Sequence, residues 1–492
     1  MAVRPDSSKD HDCEWRERAE SLEGEVASLH DTLAKVQREL ASLTRRVLGP
    51  KSEKMPPISK ETRDAPVSME EVQKKRRERR KQKAKLETKT TVIRVPEELR
   101  SCPKCGSEKL RPLGEGKVST LYEFIPARFI AHRQVRETLA CPCGEHVITA
   151  EGPAHWQEKS RYAPSFVAHL ITAKCADSIP LYRLEKEYQR TGVCIARSTM
   201  TDLFHRAAEV LAPIWNRLIE LIRVSEIVHA DETSLRVQQE KACRNGFVWT
   251  FRTTWPTPLI AFKFSPSRSG ETPKRLLGGT TGCLVVDGYS GYNVVTDVDG
   301  RTRIGCWAHV RRYFFEAQTT APEAREALDF IRDMYRVEAH AFEAGLLRTD
   351  AHLKLRQTNT RPLVDALKKW LVEKQGLHPP KSPLGVAIRY TLKLWEALNH
   401  FLDDVKIPLD NNPAEAALRR VALGRKNFLF VGNDDAGDHL AGLYSLVATC
   451  EANGVNPLEY LADVLVRVNT HPNRQLDELL PHLWARNSAA AA

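Results

Sequence analysis

Three acidic residues of this chain lie in contexts that could hold divalent metal ions. Asp231 falls within the alternating run EIVHADETSLRV, and Asp287 ends the apolar run GCLVVD, directly before Gly288. Glu415 lies in the segment LDNNPAE, which opens a helix. Carboxylates suit Mg²⁺, and two such ions held by acids stabilise both the attacking and the leaving oxygen of a phosphoryl transfer. These residue types therefore indicate metal-dependent phosphoryl transfer with Mg²⁺ or Mn²⁺.

Each acid also has an ordinary structural explanation. Asn412 as N-cap, Pro413 in first position and Glu415 in third position make a capping-box arrangement. A single Asp in a strand is often a turn or edge residue. Taken one at a time, the acids leave both interpretations open.

Residues 226–318 have a pattern that would bring Asp231 and Asp287 together. Three runs with hairpin-length gaps predict consecutive antiparallel strands, followed by a helix at Glu271–Leu277 and a parallel fourth strand that Asp287 ends. This is the order of a ribonuclease-H-like α/β catalytic core, in which the first and fourth strands are neighbours at the sheet centre. The two carboxylates are therefore predicted to face each other.

Helices are predicted for most of the remaining sequence. Residues 319–400 form a helical insertion, residues 401–470 complete the core with C-terminal helices, and residues 471–492 form a C-terminal tail. Residues 160–225 have the layout of a helix-turn-helix, with a turn at Thr191-Gly192 and a second helix capped by Ser198. The Ser198–His205 face is the candidate DNA reader, although helix pairs of this shape are also common as scaffold.

Two cysteine pairs mark a small module at residues 99–155. Cys102 and Cys105 form a C-x-x-C pair, whereas Cys141 and Cys143 form a C-x-C pair, and each pair precedes a glycine. Thiolates at such tight turns bind zinc tetrahedrally, so a zinc ribbon with structural Zn²⁺ is predicted. His146 could replace one ligand, and buried free thiols are the alternative.

The first 50 residues predict a coiled coil. Apolar residues recur in steps of four and three from Trp15 to Val47, with a leucine-rich stripe at the a and d positions. A leucine zipper and a homo-oligomer are expected, and the alternative is an amphipathic helix packed on its own protein.

A basic linker, residues 51–98, follows the coiled coil. Its run Lys74–Lys85 holds nine cations and one glutamate, so it supplies +8 of the net charge of +11. This charge favours a polyanionic partner such as DNA without sequence specificity. The candidate DNA-binding cations here are Lys74, Lys75, Arg76, Arg77, Arg79, Arg80 and Lys81.

Composition excludes several classes of protein. The 492 residues suffice for about three domains, and with 42% hydrophobic residues most of the chain can form cores. The sequence has no apolar run long enough to cross a membrane and no apolar signal core. Its eleven cysteines are too scattered for a disulfide scaffold. A cytoplasmic protein, acting on DNA in a bacterium, is expected.

In its motifs, the chain resembles insertion-sequence-66-type transposases of the DDE superfamily. The resemblance runs over nearly the whole chain, from the zipper and cysteine pairs to the C-terminal helices. Its most specific blocks, in chain order, are His229–Thr233, Val286–Tyr292, Cys306–Arg312, Asp410–Glu415 and Val421–Gly432.

This resemblance implies a transposase that cuts the ends of a mobile element and joins them to target DNA without a covalent protein intermediate. It maps the catalytic triad onto Asp231, Asp287 and Glu415. Its partners would be the element's terminal repeats, target DNA and possible accessory proteins of the same element. The C-x-C pair and Ala416, where the family usually has Arg, depart from the family pattern.

Other residues are weaker candidates. His309, four residues before Tyr313, is either an auxiliary site residue or a satisfied, half-buried histidine. Arg419, Arg425 and Lys426 could hold a phosphate near Glu415 or lie on a solvated surface. The predicted fold as a whole is a multidomain α+β chain.

Two rival functions remain on the sequence alone. A ribonuclease-H-like nuclease without strand transfer would use the same triad. A non-enzymatic DNA-binding regulator would need only the zipper, the zinc ribbon and the helix-turn-helix.

Overall fold

The computed structural model divides into two compact units, Met1–Glu123 and Phe124–Ala492, and the fold below belongs to the second. The described residues are Gly24, 129–130, 138–140, 147–149, 155–157, 160–297 and 300–484. The predicted coiled coil apart from Gly24, the basic linker and all four cysteines of the predicted zinc ribbon therefore lie outside them. None of the described helices is long and apolar enough to cross a membrane.

Two short antiparallel strands lie in the predicted zinc-ribbon module. β1 (Thr138–Ala140) pairs with β2 (Val147–Thr149), and Ala140 is opposite Val147. Residues 141–146, which include the second cysteine pair and His146, therefore connect the two strands.

Three helices follow, α1 (Pro164–Cys175), α2 (Leu181–Arg190) and α3 (Arg197–Arg223). The predicted turn is present, and Gly192 adopts a φ of 85°, which glycine accommodates without a Cβ clash. The predicted cap is wrong: the extended residue before α3 is Ala196, so Ser198 falls inside the first turn and caps nothing.

A five-stranded mixed sheet forms the centre of the unit. Its strands are β3 (Ile227–Gln238), β4 (Cys243–Arg252), β5 (Ile260–Ser265), β6 (Gly282–Val285) and β7 (Arg301–Ile304). The order is β5-β4-β3-β6-β7, with β3, β4 and β5 antiparallel and with β6 and β7 parallel to β3. Helix α4 (Glu271–Leu277) precedes β6, as the sequence predicts. This order is consistent with a ribonuclease-H-like core.

The fourth strand is shorter than predicted. β6 ends at Val285, so Asp287 lies two residues beyond the strand. The amide of Val286 still donates to Ile304 O at 3.0 Å, but Asp287 then turns the chain by accepting a hydrogen bond from the amide of Tyr289. Asp287 therefore belongs to the turn that follows β6, at the carboxyl end of an interior strand.

Helices make up most of the remaining described chain. A 3-10 turn at Ser290–Tyr292 leads into α5 (Asn293–Thr296). After β7 come α6 (Trp307–Ala317), α7 (Ala324–Glu343), α8 (Asp350–Leu355), a π turn (Arg356–Thr360), α9 (Arg361–Gln375), α10 (Pro383–Lys393), α11 (Trp395–Asn399) and a 3-10 turn (His400–Leu402). The chain continues with α12 (Asn412–Phe428), α13 (Asp434–Ala452), α14 (Pro457–Arg467) and a 3-10 segment (Asn473–Leu479).

The helices build two hydrophobic cores, one beside each part of the sheet. The first joins β3, β4 and β5 to α1, α3, α13 and α14. The second packs α6, α7, α9 and α10 against Val285 and Ile304 at the ends of β6 and β7. The segment between β7 and α12 is thus a helical body with its own core, at the position of the predicted insertion.

Part of the predicted C-terminal tail is packed against the protein. Leu479 and Leu480 are buried, and Arg217 on α3 pairs with Asp477 at 2.6 Å. The hydroxyl of Tyr460 donates to Leu479 O at 2.7 Å. Residues 473–480 are therefore packed on the first core, which the sequence did not predict.

Candidate active site

The strand register brings Asp231 and Asp287 to the same level of the sheet. β3 and β6 pair in parallel with partners 56 residues apart, for example His229 with Val285. The same offset separates Asp231 from Asp287. Asp287 itself lies two residues past the end of β6. Its negative charge contributes to the raised pKa of Asp231, so the two carboxylates lie near each other at the carboxyl end of the central strands.

Asp231 lies in an environment that disfavours its charge. Its Oδ1 accepts a hydrogen bond from the amide of Glu232 at 2.9 Å. Burial, followed by the negative charge of Glu232 and then those of Asp287 and Glu415, raises the pKa of Asp231 to about 7. The carboxylates of strand, turn and helix are thus close enough to repel one another, and a cation between them would relieve that repulsion.

A network of contacts fixes the turn that carries Asp287. Asp287 Oδ1 accepts from the amide of Tyr289 at 2.9 Å, and Arg303 Nη1 donates to Asp287 O at 2.7 Å. The amide of Gly288 donates to the hydroxyl of Tyr390 at 3.1 Å. A Cβ at Gly288 would lie 2.6 Å from the Tyr390 ring, so only glycine permits this close approach.

Glu415 comes to the site on the first turn of α12, but it does not cap that helix. The helix begins at Asn412, and Asp410 Oδ1 accepts from the amide of Asn412 at 3.0 Å. Glu415 Oε1 is buried and accepts no hydrogen bond from the described residues. The capping-box interpretation is therefore wrong. It required Asn412 as the N-cap, but the helix begins at Asn412 with Asn411 before it, and the Asn411 side chain makes no capping hydrogen bond.

Buried hydrogen bonds hold α12 against β3. Asn411 is 1% exposed, its Nδ2 donates to Ala230 O at 2.8 Å, and its Oδ1 lies 3.1 Å from His229 Nδ1. Arg252 Nη1 donates to Pro413 O at 3.0 Å. Burial lowers the pKa of His229 to about 4, so the ring is neutral at pH 7 and can share one proton with the amide oxygen.

His309 and Cys306 complete the wall around Glu415. Among the described residues, a ligand atom of Cys306, one of His309 and one of Glu415 lie within 4.8 Å of one another. His309 Nδ1 is 3.5 Å from Glu415 Oε1, and both atoms are buried without a hydrogen-bond partner in the described part of the chain. Arg312 Nη2 approaches Glu415 Oε2 at 3.4 Å.

Cys306 itself is a packing residue, as its sequence context suggests. Its side chain is fully buried, and its Sγ accepts from the amide of Asn411 at 3.2 Å. Burial raises the pKa of the Cys306 thiol to about 12. Hard divalent cations such as Mg²⁺ prefer carboxylate oxygens to a thiol sulfur, so the acids are the better donors here.

The donor set of the three acids fits a hard divalent cation. Asp231, Asp287 and Glu415 offer carboxylate oxygens only, as Mg²⁺ and Mn²⁺ prefer. The unpartnered Oε1 of Glu415 is the clearest sign of an unmet interaction. The four thiols of the predicted zinc module, Cys102, Cys105, Cys141 and Cys143, lie outside the described residues.

A fourth acid, Glu232, was missed by the sequence analysis. Its side chain is 2% exposed, and its carboxylate accepts from Arg268 Nε at 2.9 Å and from the Tyr292 hydroxyl at 2.6 Å. Burial raises the pKa of Glu232, an effect that these two hydrogen bonds oppose. In the sequence, the only sign of Glu232 was its place next to Asp231 in the block His229–Thr233. Its hydrogen-bond partners, Arg268 and Tyr292, are 36 and 60 residues away along the chain.

The three cations near Glu415 in sequence have different surroundings. Arg425 Nη1 donates to Thr233 Oγ1 at 3.0 Å and to Ser234 O at 2.7 Å, so its guanidinium is bound to β3. Arg419 and Lys426 are exposed on α12. The basic run Lys74–Lys85 lies outside the described residues.

Comparisons with known proteins match most of the chain. Residues 159–439 match the transposase IS66 family, residues 445–482 match the IS66 C-terminal element, and residues 100–144 match the zinc-finger binding domain of transposase IS66. The match of residues 100–144 to the zinc-finger domain supports a structural zinc in the cysteine module.

Two relatives come from Sinorhizobium fredii. Uncharacterized protein y4hP is 32% identical over 430 residues, which cover 82% of this chain and 76% of the relative. Uncharacterized protein y4jD is 32% identical over 420 residues, covering 82% of this chain and 81% of the relative. With more than half of its length matched by the family's central domain, the chain belongs to the transposase IS66 family.

Proposed function

We propose that this chain cuts the ends of a mobile element and joins them to target DNA, using Asp231, Asp287 and Glu415 as one metal-binding triad. The observation that carries the proposal is the closeness of Asp231 on β3 to Asp287, which lies just past the end of the parallel strand β6. Glu415 on α12 lies near them, and its buried Oε1 has no hydrogen-bond partner among the described residues. The fold is then a ribonuclease-H-like core with a helical insertion before its last acid.

Mg²⁺ or Mn²⁺ is the expected cofactor. Bound divalent ions would supply charge stabilisation for the attacking and leaving oxygens of an in-line displacement. Asp231 and Asp287 would hold the cation side by side from strand and turn, and Glu415 would close the site from the helix. Burial, together with repulsion from the neighbouring acids, raises the pKa of Asp231, and a bound cation that offsets both effects would leave that carboxylate ionised at neutral pH.

His309 is proposed as an auxiliary residue of this site. Its Nδ1 faces Glu415 Oε1 at 3.5 Å, and neither atom has another partner in the described chain. A proton on Nδ1 would orient the carboxylate through a hydrogen bond, and loss of that proton would leave a nitrogen free to contact a metal.

DNA binding is assigned to parts of the chain outside the triad. We assign a structural zinc to Cys102, Cys105, Cys141 and Cys143, backbone contacts to the run Lys74–Lys85, and element-end binding to residues 160–225. Arg419 and Lys426 are additional phosphate contacts on α12. The coiled coil would join two copies in the bacterial cytoplasm, so that two element ends are held together.

The test separates transposase from nuclease. Purified protein receives only a fragment that carries the element's end, a plasmid target and Mg²⁺. A transposase produces fragments joined to plasmid, whereas a nuclease without strand transfer produces cut fragments alone. A non-enzymatic regulator binds the end fragment and leaves both DNAs intact, so that last outcome would refute the proposal.

A further inference from the structure

Arg268 is a cation beside the acidic site to which the proposed chemistry gives no role. It lies in the loop between β5 and α4, and its Nε and Nη2 donate to Glu232 Oε1 at 2.9 and 2.6 Å. Glu232 follows Asp231 directly on β3. The Arg268 guanidinium is therefore anchored one residue from the proposed triad, and its side chain is still 48% exposed.

The surroundings hold this guanidinium in one orientation. Its carbon lies 4.2 Å from the centre of the Tyr289 ring, and Tyr289 is two residues beyond Asp287. The Tyr289 hydroxyl donates to Arg268 O, which ties the loop to the same turn. The amide of Ser269 donates to Ser267 Oγ at 3.0 Å and tightens the loop further. An arginine fixed from both sides loses little freedom on binding a ligand.

The unused edge of the guanidinium suits a phosphate. Glu232 takes the edge formed by Nε and Nη2, and Nη1 has no hydrogen bond to any residue that the structure describes. The edge formed by Nη1 and the second hydrogen of Nη2 can donate two parallel hydrogen bonds, the geometry that phosphate oxygens accept. A DNA strand that approaches Asp231, Asp287 and Glu415 meets strong negative charge, so a fixed cation at this rim would offset that repulsion.

We propose that Arg268, held by Glu232 and Tyr289, binds a backbone phosphate of the DNA strand that enters the acidic site. The inference rests on the proposed function for its DNA ligand. It adds a specific phosphate contact beside Glu232, in addition to the exposed cations Arg419 and Lys426 of α12.

The experiment is a phosphate-by-phosphate comparison of binding without divalent metal, so that no chemistry is required. Full-length protein is titrated with duplexes of the element's terminal repeat, each with one neutral methylphosphonate in place of a phosphate. One position near the cleavage point should weaken binding of the unmodified protein about tenfold, the size of one charge-assisted hydrogen bond. With Arg268→Ala, that position should lose its effect while the others keep theirs.

Two variants control for folding and for charge. Arg268→Lys keeps the positive charge but loses the two-pronged geometry, so the salt dependence should be retained and the affinity should fall. Arg275→Ala removes an exposed arginine of α4. In this variant, the methylphosphonate near the cleavage point should weaken binding as much as it does in the unmodified protein. For Arg268→Ala, the slope of log affinity against log salt should shrink by about 0.9, as for one phosphate contact.

The outcomes separate this inference from the proposed function. If the unmodified protein fails to bind the duplex at all, both are overturned. If it binds, but Arg268→Ala and Arg268→Lys respond to every methylphosphonate as the unmodified protein does, Arg268 contacts no phosphate and only this inference is refuted.

Discussion

At the scale of single residues, the candidate site is a group of buried carboxyl groups whose negative charges are unfavourable without a bound cation. Asp231 has its pKa raised to about 7 by burial and by neighbouring acids, and Glu415 Oε1 is buried without a partner in the described chain. Such groups cost stability unless a ligand compensates them. Their presence together is the physical argument for a cation site.

The raised pKa of Asp231 predicts a pH-dependent stability of the metal-free protein. A carboxyl whose folded-state pKa lies above its unfolded value of 3.8 stabilises the fold at low pH and loses that contribution as pH rises through about 7. Asp231→Asn cannot ionise, so its melting temperature should rise relative to that of the unmodified protein between about pH 4 and pH 7.

Thermal denaturation in EDTA at several pH values measures this difference. Adding Mg²⁺ at pH 8 should stabilise the unmodified protein and leave Asp231→Asn nearly unchanged. A constant difference in melting temperature between the two proteins across the whole pH range would show that ionisation of Asp231 does not destabilise the fold.

At the scale of elements, the pair β3–β6 and the helix α12 form the site, and Asn411 joins them. Its amide connects Ala230 and His229 on β3 to the start of the helix that carries Glu415. The Trp307 amide donates to Leu409 O at 3.1 Å, which ties the preceding segment to α6. Helix α6 thus holds the segment that leads into α12.

Asn411→Ala should therefore damage activity more than its cost in stability explains. It removes two buried hydrogen bonds and leaves both ring nitrogens of His229 unpartnered, a loss of about 2–3 kcal/mol. Asn453→Ala is a control of similar size, because it also removes two side-chain hydrogen bonds, from Asn453 Nδ2 to Pro258 O and to Thr449 O, at the end of α13. Melting temperature and DNA cleavage are measured for both.

Both variants should melt a few degrees lower, but only Asn411→Ala should lose most of its cleavage at a temperature where both are folded. Equal activities of the two folded variants would mean that Asn411 does not position Glu415.

The hairpin β1–β2 predicts the behaviour of the zinc module. Cys141 and Cys143 lie in the connection between its strands, so a tetrahedral thiolate site should close there with Zn–S distances near 2.3 Å. Elemental analysis of the full chain should give one zinc, and Cys141→Ser should reduce it. Cys194→Ser changes an exposed free thiol and should have no effect.

Retention of zinc in Cys143→Ser, together with its loss in His146→Ala, would show that the histidine is the fourth ligand. Absence of stoichiometric zinc from the unmodified protein would refute the module's metal site.

The sequence predicted the elements of the core better than the contacts between them. Alternation and spacing predicted β3 to β6 and the helix Glu271–Leu277, because these patterns are local. The three acids were singled out as a set only by the resemblance to a family, and their shared role stays a prediction. The partners of Glu232 are Arg268 and Tyr292, and His309 and Arg312 lie near Glu415. Such pairings depend on tertiary packing over tens of residues, which no local pattern encodes. Ser198 was misplaced as a cap because the extended chain ends at Ala196.

At the scale of the whole molecule, the catalytic unit is one part of a longer chain whose N-terminal modules are predicted to bind DNA and to self-associate. The predicted stripe of apolar residues in the first 50 residues has no place to be buried within a single helix. Removing residues 1–48 should therefore lower the oligomeric order.

Sedimentation of the full-length and shortened proteins checks this prediction. The shortened protein should still bind a single element end while joining fewer ends to target, because joining requires two ends to be held together. Identical masses per particle for the two proteins would count against a zipper.

The central claim is that Asp231, Asp287 and Glu415 act as one metal site for cleavage and for joining. Its most direct test measures both steps with Mg²⁺ for Asp231→Asn, Asp287→Asn, Glu415→Gln and the control Glu373→Gln, an exposed acid of α9. The three triad variants should bind the element's end normally but lose both cleavage and joining. When residues act as a unit, the loss of any one of them removes most of the activity. Glu373→Gln should retain both. A folded Glu415→Gln protein that still cuts DNA at a near-normal rate would contradict the assignment.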